Sequence, residues 1–341
     1  MRAVQFVAAL AAGIVAATAS LAQSGSSGGT GIVFTANEGG RSISVITSAS
    51  GSVETTPIGI APHNVQTSAD GRLVFAVGSP VTAGAAMAME GRGRLLVLDA
   101  LAVSRGPTAE IEVGHHPAHV IVDARAARAF VTNGGDNSLS VVDLAQRQVA
   151  RTIPVGASPH GLRMSPDGRS IYVANTGDGS VSVVDVATLA ETFRIPVGRG
   201  PVQVAFTPDG QQVYVTLRDE NATAVIDTAS RQVIGRIAVG SGPIQVFAAP
   251  NGQEMYVANQ GTETAPGNTV SVISTVSRAV VAEIVTAAGA HGVVVNRRGD
   301  RLFVANSFAN TVSIIDPASR QVLRSITVGA GPGGITFGVS D

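Results

Sequence analysis

The sequence predicts an all-β protein, a seven-bladed β-propeller of four-stranded antiparallel blades, on three observations. A phrase recurs seven times at intervals of 42 to 52 residues, its apolar residues have strand rather than helix spacing, and the chain ends are out of phase with it. The repeat has three parts in fixed order. An apolar strand ends in Asn at residues 33–37, 130–133, 172–175, 256–259 and 303–306, with degenerate copies at 74–77 and 214–217. A β-branched strand follows and ends at Thr47, Asp99, Asp143, Asp185, Asp227, Ser274 and Asp316, so successive copies lie 52, 44, 42, 42, 47 and 42 residues apart. A Val-Gly turn then leads through proline into another strand. The prolines are at 62, 117, 159, 201, 243 and 332, and Ala290 fills the remaining slot.

Helical repeats of similar length need apolar residues three and four apart, whereas Ser182-Val183-Val184 and its copies are β-branched runs bounded by Gly, Asp and Asn turns. One blade then reads as strand A at 160–164, B at 171–175, C at 181–186 and D at 192–197. Ser165-Pro166-Asp167-Gly168 is the A–B turn, where Pro presets φ and Gly supplies positive φ. The repeat opens on a B phrase near residue 31 and closes on an unpartnered A phrase near residue 333. The C-terminal strand A is therefore expected to join the N-terminal strands B, C and D as the seventh blade, removing exposed strand edges.

The first residues have the pattern of a secretory signal: Arg2, an apolar run over 4–19, and Ser20-Leu21-Ala22 as a small-residue cleavage site. The expected organisation is a signal peptide at 1–22, a Ser/Gly linker at 23–30 and the propeller at 31–341. The mature protein would then be periplasmic or secreted, with no membrane span after signal cleavage, and monomeric. Cysteine is absent, which excludes disulfides and thiolate chemistry; every basic residue is Arg, which excludes Schiff-base lysines. A net charge of −1, three Tyr and no Trp give nucleic acid neither a basic stripe nor stacking platforms.

Tyr172-Val173-Ala174-Asn175, Ser182-Val183-Val184-Asp185 and Phe130-Val131-Thr132-Asn133 resemble the YVTN β-propeller repeat family over essentially all of residues 31–341. The resemblance implies the fold and little chemistry, because that family includes surface-layer proteins, binding proteins and enzymes.

All six histidines map to the connections around one mouth of the channel. His63, His160 and His291 directly follow the proline slot, His119 lies one residue further on, and His115 and His116 precede Pro117. One reading makes them part of the repeat, each capping an inner strand and bonding a neighbouring blade. The other makes them ligands for copper or zinc at a water-filled mouth, since imidazoles from different blades can converge on one axis. His63, His119 and His160 come from consecutive blades and should form an arc, with His291 entering from further round. The long B–C connection of the first full blade adds Met87, Met89 and Glu90. Gln203, Gln245 and Gly334 stand in their blades at the position that matches His119, and Arg218 is a candidate anion ligand beside Asp219 and Glu220. The arrangement is distantly similar to the propeller domain of nitrous oxide reductase, whose inner-strand histidines hold copper. This chain has fewer such histidines and no room for a second copper domain, so that activity is not expected.

The function these features favour is an exported binding or scaffold protein that recognises a small molecule, metal ion or periplasmic protein on the histidine face. The alternative is a metal-assisted lyase or lactonase, with Glu90 or Glu220 as acid or base.

Overall fold

Period-two alternation buries one residue in two on each face of a strand, so a four-stranded blade has two apolar faces to cover. The computed structural model, which describes residues 31–80 and 91–338, covers them by stacking seven four-stranded antiparallel sheets. Seven apolar clusters fill the spaces between successive blades. In one of them Tyr172 and Val183 of one blade meet Phe206 and Val215 of the next. The innermost strands touch in a closed cycle: Ile60–Thr67, Pro117–Val122, Pro159–Met164, Pro201–Phe206, Pro243–Ala248, Ala290–Val295 and Pro332–Phe337.

The seventh blade is composite. Pro332–Phe337 pairs with Ile32–Asn37, Val33 opposite Phe337, and the sheet continues through Ser42–Thr47 to Val53–Pro57. The ring thus closes by three N-terminal strands and one C-terminal strand, as the phase of the repeat requires. The traced blade is observed as Pro159–Met164, Ser170–Asn175, Ser180–Asp185 and Ala190–Pro196, within two residues of expectation. The segments 1–22 and 23–30, and Met87, Met89 and Glu90, lie outside the described residues. Among the described residues no helix is long and apolar enough to cross a membrane.

The Asn that ends strand B is structural. In five blades its Nδ2 donates to a hydroxyl on strand C, as Asn133 does to Ser138 (3.1 Å) and Ser140 (2.9 Å) and Asn175 to Ser180 (2.9 Å) and Ser182 (2.8 Å). Where Leu217 replaces the Asn, the two hydroxyl positions are Ala222 and Ala224. Donor and acceptors have been exchanged together, which avoids leaving a buried polar group unpaired.

Candidate metal centre at the channel mouth

Every inner strand carries a one-residue bulge just past the proline slot. In the blade of His160, Pro159 faces Asn175 while Leu162 faces Val173; the shift recurs in the other six. A bulge breaks the strict alternation of faces. The residues one and two places after the slot can then both reach the channel, and this brings His119 into contact with His63 and His160. The ring centroids are 5.7 Å apart for His63–His119, 5.0 Å for His63–His160 and 4.9 Å for His119–His160. One ring nitrogen from each of the three lies within 4.8 Å of the other two.

The partners of these rings fix their tautomers. His160 Nδ1 lies 3.1 Å from the carbonyl oxygen of Val202 in the next blade; a carbonyl only accepts, so Nδ1 carries the hydrogen. His63 Nδ1 lies 3.1 Å from Oε2 of Glu38, so it too donates. The remaining nitrogens, Nε2 of His63 and Nε2 of His160, face each other at 3.1 Å. Two imidazole nitrogens at about 2.0–2.1 Å from one ion, and about 100–110° apart, would be roughly 3.1–3.4 Å from each other. Two rings of the three are therefore already at ligand spacing.

The third ring is held differently. His119 is 1% exposed, so it is buried and does not stand in the open mouth that its place in the repeat suggested. Its Nδ1 lies 3.4 Å from Nε2 of Gln203, whose Oε1 accepts from the Val204 amide at 2.9 Å. Gly161 makes room for that amide: a Cβ there would fall 2.4 Å from Gln203 Oε1.

Charge follows burial and partners. Burial pushes His63 down, but the hydrogen bond and charge of Glu38 outweigh it and raise its pKa above the usual 6.5. Glu38 is lowered in return: burial pushes it up, and the hydrogen bond and charge of His63 outweigh that. Burial, and then the charge of His63, push His160 down to about 3. His119 is driven well below the usual value by burial and by His160 and His63. At neutral pH, His119 and His160 offer neutral imidazole, the form that binds metals.

The other candidates are placed elsewhere. His291 occupies the same slot as His160 and makes the same type of bond, Nδ1 to the carbonyl of Gly333 at 3.0 Å, but it is outside the three-ring cluster. His115 pairs with Asp136 at 2.8 Å on the rim, and His116 lines the cavity over the cluster with a left-handed φ of 48°. Arg218 is exposed and ion-paired with Asp219 at 2.9 Å, and Glu220 pairs with Arg236 at 2.9 Å. Gln245 is buried with its Nε2 unpartnered. The acid beside the histidines is Glu38, which the sequence reading did not single out. Its signal was its position directly after the strand-B Asn37, where the other blades carry Gly134, Thr176, Arg218, Gln260, Ser307 and Ser79. A cavity of about 370 Å³, lined by Glu38, His63, His160 and His116, opens above the cluster.

Fold and site together define a seven-bladed β-propeller with a histidine cluster in its channel. Residues 87–254 match the YNCE-like β-propeller family. No curated protein sequence matches the chain. Among solved structures, a Desulfotomaculum acetoxidans protein of unknown function is similar with a TM-score of 0.75 at 16% identity, over 91% of this chain and 99% of that one. The periplasmic gluconolactonase of Pseudomonas aeruginosa gives 0.73 at 19% identity, over 91% and 99%. A chain of Kuenenia stuttgartiensis hydrazine synthase gives 0.69 at 22% identity, over 80% and 88%. At these identities the likeness is one of fold.

Proposed function

We propose that the protein is an exported, metal-binding β-propeller whose channel mouth holds one zinc or copper ion on His63, His119 and His160. The observation that carries this reading is the 3.1 Å approach of two Nε2 atoms whose rings have both committed Nδ1 as donor. Two bare lone pairs at that distance repel, so a cation belongs between them. In the metal-free protein a proton on His63 plays that part, stabilised by Glu38. A metal ion fits the same place and recruits the third ring. The carboxylate behind His63 and the carbonyl behind His160 are the outer partners that orient metal-binding imidazoles and raise their basicity. Neutral imidazoles without thiolates suit zinc and copper. Ligation through His119 Nε2 would require its Nδ1 to carry the hydrogen, so the Gln203 side chain, whose Nε2 faces that atom while its Oε1 is held by the Val204 amide, would have to turn away. The side open to the 370 Å³ cavity leaves room for a small molecule or a partner's side chain on the ion. Export rests on the pattern at residues 2–22.

The test is metal content of protein isolated from periplasm without a polyhistidine tag, followed by titration of the metal-free form with Zn(II) and Cu(II). One ion per chain is expected, and His160→Ala should lose it with the fold intact by circular dichroism. A wild type that takes up no metal, or a variant that keeps full occupancy, overturns the reading.

A second reading, a metal-assisted lactonase or lyase, is favoured by one observation: the half-exposed Glu38 carboxylate lines the same cavity and could serve as base beside a bound ion. Turnover of gluconolactone or similar esters by the metal-loaded protein, lost in Glu38→Gln, is its test.

A further inference from the structure

The opposite end of the channel has a chemistry of its own. Four places after the proline slot, the inner strands contribute Gln66, Ile121, Arg163, Ala205, Phe247, Val294 and Thr336. All but Ala205 line a separate cavity of about 400 Å³. Its walls are mostly apolar, with Val122, Met164, Val295 and Ile335 joining Ile121 and Phe247. Within it, Arg163 is a half-buried cation without a counter-ion. Its one hydrogen bond among the described residues runs from Nη1 to the carbonyl of Leu162 at 3.1 Å, and no carboxylate pairs with it. The acid that lines the cavity, Asp123, is paired with Arg128 at 3.4 Å and accepts from the Ala127 amide at 2.8 Å. The other cation at this end, Arg297, donates to the carbonyl of Ala69. Gln245, one layer above, keeps a buried and unpartnered Nε2 donor.

An unpaired guanidinium in an apolar pocket is costly unless something anionic completes it. Burial alone pushes the Arg163 pKa to about 10, which still leaves it charged at neutral pH. Guanidinium matches a planar carboxylate through two parallel N–H donors. Arg297 also lacks a carboxylate but is exposed and solvated, so the one partly buried uncompensated charge calls for a monoanion, and the apolar walls call for a hydrophobic body behind it. A cavity of this size accommodates a ring-sized molecule.

We infer that this end of the channel is a binding site for an organic monocarboxylate with an apolar body, anchored by Arg163 and separate in its lining from the cavity over the histidine cluster.

The test is isothermal titration of the full protein at pH 7 in low chloride with benzoate as probe and benzamide as its uncharged counterpart. Benzoate should bind to the wild type, with benzamide at least about tenfold weaker, the order expected for losing a charged hydrogen-bond partner. Arg163→Gln should lose benzoate by a similar factor, and Arg163→Lys should keep part of the affinity, which separates loss of the anchor from damage to the channel. His160→Ala should leave benzoate binding unchanged. The inference is overturned by no benzoate binding up to 10-millimolar order, by equal affinity for benzamide, by an unaffected Arg163→Gln, or by competition from chloride and sulfate as strong as benzoate itself.

Discussion

His160 and His291 occupy the same slot of the same repeat, three blades apart, and bond through Nδ1 to the same carbonyl of the following blade, Val202 in one case and Gly333 in the other. One belongs to a three-ring cluster and the other does not. The slot alone therefore does not make a site. On the two blades before it, His160 has His119 two places after the slot and His63 one place after it; the two blades before His291 have Gln245 and Val202 in those positions. The bulge supplies the geometry everywhere, and consecutive occupancy supplies the site in one arc only. The structure shows two separate things about the histidines. The bond to the neighbouring blade belongs to the repeat, and the convergence of rings belongs to blades one to three.

The largest expected effect tests this contrast directly. His160→Ala should weaken Zn(II) binding by more than about 100-fold, because it removes one of three ligands. His291→Ala should leave affinity within about threefold, since it lies outside the three-ring cluster, bonds to the Gly333 carbonyl and acts on His63 and Glu38 only through charge. Competition titration with a chelating dye measures both. Equal losses would erase the difference between the two regions.

A smaller effect is expected behind the ligands. Glu38→Gln should reduce metal affinity by roughly 10- to 100-fold, the range for outer partners of metal-bound histidine. It should also lower the His63 pKa, read from imidazole proton or carbon shifts by NMR. A variant that moves neither quantity would show that the pair is only a surface contact.

Smaller again is the dependence on pH. A metal ion on the proposed site would have to displace the proton on His63, whose pKa is raised above 6.5, so affinity should fall progressively as pH drops through that raised value. In Glu38→Gln the onset should move to lower pH.

The smallest effect concerns the fold. His160 and His291 have pKa values of about 3 and about 4, below the 6.5 of an unfolded chain. The unfolded chain therefore binds protons that the folded one refuses, and stability present above pH 6.5 is lost as pH falls towards 4 and then 3. His63 has the opposite sign: its contribution is present below 6.5 and is lost as pH rises through its raised value. Replacing His291 by Gln should cost about 0.5–1.5 kcal/mol at pH 7, one hydrogen bond's worth, and should make the fold more resistant to acid. Urea unfolding at pH 7 and pH 5 would register both changes.

The blade count, strand limits and composite closure were legible because repetition amplifies a weak signal: each degenerate copy, such as residues 74–77, is corrected by the others. The arc of His63, His119 and His160 was legible for the same reason. What escaped was set by single residues that break the repeat. Glu38 has no counterpart in the other blades, and its contact with His63 lies across a blade boundary that no spacing encodes. The burial of His119 depends on Gln203 from two blades away. The bulge has no marker of its own, since any residue can occupy it, and yet it decides which side chains meet.

The composite blade has a consequence in time. The backbone amide of Glu38 donates to the carbonyl of Gly331 at 3.0 Å, and that of Gly40 to Ala330 at 2.8 Å, so the connection bearing Glu38 is stapled by the last turn of the chain. A chain growing from its N-terminus has all three imidazoles long before it has that staple. The turn that bears the carboxylate behind His63 is thus held by contacts between the two ends of the ring, and the cluster gains its acidic partner only where those ends meet.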